Sequence, residues 1–350
     1  MDSADLLSEK KFYNALCVAN HGDIFDMKKI RTAFSSWAEA WAKGGSGRNI
    51  DPEAEWEKLS ELGISLSLRG DKDFPVLLSE ATDAPFAIYY KGIIPKDGRS
   101  VSIVGTRRAT MIAKSAAKDF ASQLVKSGVA VISGLAMGID TAAHEGALAA
   151  GGKAIAVLAN SLDSVYPRQN ENLARRILET GGALISEYPL GSETFPVRFL
   201  ERNRIVSGLS PATLVIEAPE DSGSLVTANL ALEQNREVFV VPGPVSHENY
   251  QGSHKLIRAG ARLVTSAAEI LEDLGWQDEA SQTASLLELP IAKLAAGEKV
   301  VFNALRSAGE ALQVDRIQEI TRMSVLEVSR NLTFLQIKGL IKEDAGRYTV

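Results

Sequence analysis

The sequence predicts an α/β protein built on a mostly parallel sheet, with a small helical domain before it and a winged-helix module after it. Three observations carry this expectation. Between about residues 100 and 275, short β-branched runs alternate with helix-forming stretches, the pattern of a sheet covered by helices on both faces. Two of the runs end in glycine turns that open helices, Val101–Arg108 and Val131–Thr141. The C-terminal stretch reads as three helices followed by a hairpin, the order of a winged helix-turn-helix.

Taken in order, residues 1–50 are expected to form the helical domain. Phe12, Leu16, Ile24, Phe25, Ile30, Phe34, Trp37 and Trp41 recur near helical spacing, and Gly44-Gly45-Ser46-Gly47 breaks the pattern. Residues 51–276 form the main domain. It opens with an amphipathic helix over 52–63, followed by short strands between Ile64 and Tyr90 that Pro75 and Pro85 punctuate. Further strands are expected at 101–104, 129–133, 154–158, 183–186, 213–217, 238–241 and 262–264, with helices at 113–126, 141–150, 170–180 and 224–234. The polar, Ala/Ser-rich stretch 277–290 reads as a linker. Residues 291–350 complete the chain as the winged-helix module, with helices at 299–307, 314–321 and 324–338 and a hairpin from Ile341.

Composition narrows the function classes. The chain has 350 residues, 45% hydrophobic and 23% charged, which suits an ordinary globular protein of two or three domains. A single cysteine, Cys17, excludes an internal disulfide and a multi-cysteine metal site, and the four histidines lack ligand spacing, so no cofactor or metal is expected. No apolar run approaches membrane-span length, and Met1-Asp2-Ser3-Ala4-Asp5 lacks the order of a signal peptide. A cytoplasmic protein without membrane association is therefore expected. The net charge of −6 argues against bulk attraction to nucleic acid but is compatible with a local basic groove. Arginines 107, 108, 168, 175, 176, 198, 202 and 204 all fall in the main domain.

The glycine turns carry the chemistry. Gly105-Thr106-Arg107 and Ser133-Gly134-Leu135-Ala136-Met137-Gly138 place backbone N–H groups and helix N-termini at the carboxyl edge of the sheet, where anions are held. Arg107 adds a fixed cation. The second loop lacks the spacing of a dinucleotide fingerprint and the Gly-Lys-Ser/Thr of a P-loop, and it also reads as a plain tight turn. Asp140 and His144, four apart, suit a helix cap with a shared hydrogen bond, or an acid–base pair with no evident nucleophile beside it. In Val165-Tyr166-Pro167-Arg168-Gln169-Asn170, Asn170 suits an N-cap. Tyr166 and Arg168 offer a stacking face and a phosphate fork, or simply a proline turn with an exposed arginine. Around Phe195–Gly208, Arg198 and Arg202 share a helical face while Arg204 lies on another. Three arginines in so short a stretch need partners, either a ligand or Glu201 and Glu217. Ser222-Gly223-Ser224-Leu225-Val226-Thr227 is a third small-residue loop at the same edge.

Together these blocks resemble the DprA/Smf family of DNA-processing proteins. Ile103–Arg107, Ser133–His144, Val165–Asn170, Arg202–Ser210 and Gly223–Ala228 carry the likeness, which runs almost continuously from about 65 to 275. The resemblance implies an extended Rossmann-like domain that binds single-stranded DNA, forms a homodimer and helps load the RecA recombinase in natural transformation. It assigns the basic pocket to Arg107 and Arg168 (the latter often lysine in relatives) and the backbone cradle to Ser133, Gly134 and Gly138. The expected contact set is Gly105, Thr106, Arg107, Ser133, Gly134, Gly138, Arg168, Asn170, Arg202, Asn203, Arg204 and Ser224. Ala19-Asn20-His21-Gly22 departs from the Gly-x-Gly hairpin of relatives, so the resemblance assigns no DNA role to residues 1–45.

An enzymatic alternative comes from the lysine-decarboxylase-like (LOG) nucleoside-monophosphate hydrolases, which share the sheet and loops. Their Pro-Gly-Gly-x-Gly-Thr-x-x-Glu segment carries a catalytic glutamate, and Thr227 stands at that position here. A non-enzymatic binding protein is therefore expected. The winged-helix module carries Arg330 and Lys338 against Glu327 on its recognition helix, a balance that suits protein docking better than groove reading.

Overall fold

The computed structural model describes residues 3–45, 49–95, 98–276, 294–308, 311–338, 340–344 and 346–349. They divide into two compact units, split after Asp273. The linker expected over 277–290 lies outside the described residues, as do Ser46 and Gly47 of the glycine run.

The first unit opens with helices α1 (Ser3–Ala19), α2 (Ile24–Ala33), α3 (Trp37–Ala40) and α4 (Pro52–Glu61). They are docked on the sheet that follows. The buried hydroxyl of Tyr89 donates to Asn14 Oδ1 at 2.9 Å, and Lys10 pairs with Asp71 at 2.8 Å. Strand β1 (Ser65–Leu68), helix α5 (Val76–Glu80) and strand β2 (Ala87–Gly92) come next. The short helix α5 stands between them where only strands were expected.

The alternating region then forms β3 (Ser100–Gly105), α6 (Met111–Lys126), β4 (Ala130–Ser133), α7 (Ile139–Ala149), β5 (Ala154–Val157), α8 (Glu171–Glu179) and β6 (Ala183–Ser186). It continues through α9 (Pro196–Gly208), β7 (Ala212–Ile216), α10 (Gly223–Glu233), β8 (Glu237–Val240), α11 (Gln251–Arg258), β9 (Arg262–Leu263) and α12 (Ala267–Asp273). Every strand expected in this region is present, each within two residues of its expected ends.

The nine strands form one sheet in the order β1-β2-β6-β5-β4-β3-β7-β8-β9. β1 and β2 pair antiparallel with their neighbours, and β6 through β9 run parallel. β3 through β7 are wholly or almost wholly buried, which explains their continuous apolar sequence. Helix α6 packs on α7, and α9 packs on α10. After β3 the chain moves to one side through β4, β5 and β6, then returns through α9 to lay β7 on the other side of β3. The β3/β7 junction is therefore a topological switch point, the place where a doubly wound sheet opens a crevice at its carboxyl edge.

The second unit contains α13 (Ala296–Ala308), β10 (Leu312–Gln313), α14 (Val314–Thr321), α15 (Val325–Ile337), β11 (Lys342–Asp344) and β12 (Arg347–Thr349). Its three strands pair in the order β10-β12-β11, the wing expected from the sequence. Val301, Phe302, Leu305, Ile317, Val328, Leu332 and Leu335 form its own core. A capping box of Ser324 with Glu327 starts the recognition helix, and Lys338 at its end pairs with Glu298 at 2.6 Å. Two of the three charges noted on that helix thus serve the module itself.

Candidate functional site

A cavity of about 1040 Å³ opens at the switch point. Its walls come from the turns after β3, β4, β5, β7 and β8 and from helix α9. Backbone hydrogen bonds lock the central turns together. Thr106 N–H donates to the Glu217 carbonyl at 2.9 Å, and Ile139 N–H donates to the Thr106 carbonyl at 3.3 Å. Gly138 makes the second approach feasible. Its φ is 85°, and a Cβ there would run into the Thr106 and Arg107 carbonyls. Two non-glycine residues at the mouths of β4 and β7, Leu135 (φ 56°) and Glu217 (φ 53°), also hold left-handed backbone, which surrounding contacts must enforce.

Those contacts are on hand. The carbonyl of Leu135 accepts from Asn170 Nδ2 at 2.8 Å, and the same amide reaches Thr141 Oγ1 at 2.9 Å. The Glu217 carboxylate, wholly buried, accepts from Thr110 N–H at 2.8 Å, from the Thr110 hydroxyl at 3.1 Å and from Asn249 Nδ2 at 2.7 Å. Thr110 in turn caps α6. Glu217 therefore ties the turn after β3 to the loop after β8.

The floor of the cavity holds Arg202, only 4% exposed. One Nη donates to the carbonyls of Gly134 and Val157, while Nε has no hydrogen-bond partner. A Cβ on Gly134 would collide with this guanidinium, so the glycine is required by the close approach. Among the described residues no carboxylate forms an ion pair with Arg202. Burial pushes its guanidinium down to about 10, against the opposing pull of Asp140, so it keeps its charge at neutral pH. A buried cation held mostly by carbonyls gains strongly from an anion brought beside it.

At the mouth, the exposed Arg107 guanidinium lies 4.7 Å from the ring centre of Phe199. Tyr166 meets the same ring edge-on at 5.5 Å and is 48% exposed. Arginine, phenylalanine and tyrosine thus form one cationic and aromatic rim. The peptide between Tyr166 and Pro167 is cis. Leu200 and Phe195, also exposed, extend the apolar surface.

The expected contact residues divide into three groups. Gly105, Thr106, Arg107, Gly134, Arg202, Asn203 and Ser224 all line the cavity. Asn203 also donates to the Gly223 carbonyl at 3.3 Å, and the Ser224 hydroxyl pairs with that of Ser222 at 2.7 Å. Ser133, Gly138 and Asn170 support the walls: the buried Ser133 hydroxyl donates to the Ile103 carbonyl at 2.7 Å. Arg168 and Arg204 lie apart from the cavity lining. Arg168 is exposed two residues beyond Tyr166. Arg204 is buried, with its guanidinium on Glu187 and the Asp83 carbonyl.

Four local expectations are corrected. Asp140 accepts from the N–H groups of Gly134 and Ala136 at 3.1 and 3.3 Å, so the protein's own carboxylate fills part of the cradle expected after β4. Asp140 and His144 share no hydrogen bond, since both ring nitrogens of buried His144 lack partners. Burial, with a smaller push from Arg202, holds this imidazole down to about 3. Asn170 occupies the N-cap position, but its side chain makes no cap because it serves Leu135 and Thr141. The α9 arginines pair with neither Glu201 nor Glu217. Arg198 donates to the Glu193 and His21 carbonyls at 2.6 and 2.7 Å and stacks on Tyr188.

Sequence reasoning weighed Glu217 only as an arginine partner and missed its tie to Thr110 and Asn249, and it missed Asn249 and the acidic residues Glu220, Asp221 and Glu248 of the cavity wall. Their only sequence signal is position, just after strand ends, where cavity residues of such sheets gather.

A doubly wound sheet with an arginine-floored crevice at its switch point marks a Rossmann-like ligand-binding protein. Residues 65–275 match the family model described as DNA recombination-mediator protein A. The chain belongs to this DprA/Smf family of DNA-processing proteins. Protein Smf of Escherichia coli (strain K12) is 38% identical over 286 residues, covering 79% of this chain and 74% of that protein. DNA processing protein DprA of Bacillus subtilis (strain 168) is 38% identical over 216 residues, 61% of this chain and 72% of that one. Among solved structures, DprA of Streptococcus pneumoniae superposes with a TM-score of 0.61 at 33% identity, over 75% of this chain and 92% of that one. DNA processing protein A of Helicobacter pylori, solved for its unique single-stranded DNA binding mode, gives a TM-score of 0.55 at 29% identity, over 60% of this chain and 95% of that one.

Proposed function

We propose that this protein binds single-stranded DNA in the switch-point cleft, without catalysis, and hands the strand to a RecA-type recombinase. The observation that carries the reading is the pairing of buried Arg202 on the floor with the Arg107–Phe199–Tyr166 rim. A single strand offers phosphates and unstacked bases together, and such a cleft answers both, the arginines with charge and the rings with stacking faces. Contacts to phosphate and to base faces are sequence-tolerant.

The reading assigns phosphate contact to Arg107 and Arg202, a continuation of the backbone path to Arg168, and polar support to Asn203 and Ser224. The non-enzymatic part is supported by Thr227, which is buried with its hydroxyl on the Gly223 carbonyl at 3.5 Å where the LOG-type hydrolases need a carboxylate. The family's description as a recombination mediator supports RecA as the recipient, and a homodimer would join two grooves on one strand. The double variant Arg107→Ala/Arg168→Ala tests the site. Single-strand affinity falls and the slope of log K against log salt flattens by about 1.4, two phosphates at about 0.7 each. Unchanged affinity and slope would remove both arginines from the interface.

A further inference from the structure

The cleft has a second wall that phosphate binding does not use. Glu220 and Asp221 follow β7, and Glu248 follows β8; all three line the cavity and are exposed. Tyr166 comes from the turn after β5, on the other half of the sheet. The two sets therefore enter the cleft from opposite sides of the β3/β7 junction.

Their charges are not equally engaged. Glu220 pairs with Lys255. Asp221 and Glu248 make no ion pair and no side-chain hydrogen bond among the described residues. The cleft thus has a cationic floor, an aromatic and apolar bank, and a bank bearing two unneutralised carboxylates. That the cavity takes an anion is indicated independently by Arg202, almost wholly buried there with its Nε unpartnered.

We infer that Asp221 and Glu248 are specificity determinants that exclude the second strand of a duplex; this rests on the single-strand reading above. A lone strand can lay its phosphates on the arginines and its bases on Phe199 and Tyr166, leaving the acidic bank facing base edges and solvent. A duplex entering the same cleft carries a second row of phosphates and has no unstacked base for the aromatic bank. Its extra phosphates meet the carboxylates. Like charges brought together this way repel over about 10 Å at 0.1 M salt and less as salt rises. Discrimination by a built-in repulsion of this kind adds to whatever the favourable contacts supply.

The test uses the full chain with both carboxylates neutralised, Asp221→Asn/Glu248→Gln. Both side chains are exposed and unpartnered, so the fold is retained. Fluorescence anisotropy follows labelled oligo-dT and a duplex of equal length at several salt concentrations. Duplex affinity rises by about tenfold at low salt, single-strand affinity rises by less than about threefold, and the difference shrinks with added salt. An equal gain for both forms would show only a general change of potential and would overturn the inference, as would no gain for the duplex. The wild-type titrations separate the two claims: absence of any single-strand preference there removes the underlying reading, whereas a preference that the variant keeps in full removes only the acidic filter.

Discussion

Arg202 and Arg204 stand two positions apart on one helix and do opposite work. Arg202 points its charge at carbonyls and the cavity, while Arg204 spends its charge on Glu187 and the Asp83 carbonyl. Arg204→Ala would strand a buried Glu187 carboxylate, so stability falls by about 3–5 kcal/mol in a denaturant titration, while the cavity lining is untouched. Phe199→Ala removes the ring that Arg107 and Tyr166 share, and single-strand binding weakens by about 1–3 kcal/mol with little change in the salt slope. A large drop in slope would mean that the ring acts by placing Arg107 alone. Gly105, Arg107 and Gly134 line the cavity and were legible in the sequence because each glycine ends an apolar run just before a helix, where such sheets open their crevice. The role of Arg204 was not, because its partner sits after β6 and nothing in the local pattern marks the pair. Asp140 was misread for a related reason: spacing suggests a cap on its own helix, but the nearer donors are the N–H groups of the loop behind it.

At the scale of elements, the parallel strands and helices α6, α7, α8 and α10 were legible from apolar runs and the small-residue turns between them. Helix α9 was recognised only by the spacing of Arg198 and Arg202. Along most of its length its pattern is inverted: Arg198, Arg202 and Arg204 are buried while Val197 and Leu200 are exposed, and Ile205 and Val206 join the core only near its end, so the apolar stripe is too short to mark the helix. That inversion is intelligible once the cleft is seen, since Phe199 and Leu200 line it instead. Helix α7 carries an acid-sensitive group. His144 is held down to about 3 against an ordinary 6.5, so the unfolded chain takes up a proton that the folded protein refuses. The contribution of His144 to stability is full above about pH 6.5 and is lost as pH drops towards 3, by up to about 1.4 kcal/mol per unit. His144→Leu flattens this dependence when urea midpoints are compared at about pH 7.5 and about pH 5. An unchanged slope would place the acid sensitivity in other groups.

At the scale of the whole molecule, the N-terminal helices belong to the same compact unit as the sheet. A glycine run near residue 45 suggested a boundary, but Asn14, Lys10 and the His21 carbonyl all bond to the sheet unit or α9. The second unit has its own core, and the arginines of the cleft lie outside it. Ending the chain after Asp273 therefore leaves single-strand affinity within about threefold of the full protein, and near-total loss would assign the second unit a direct role. The proposed function has the switch-point cleft hold single-stranded DNA through phosphate and base-face contacts. Fluorescence anisotropy with labelled oligo-dT, set against a duplex of equal length across a salt series, tests it most directly. The single strand is expected to bind more tightly than the duplex, with an affinity that weakens steadily as salt increases. Equal or weaker binding of the single strand, or affinity indifferent to salt, would contradict it.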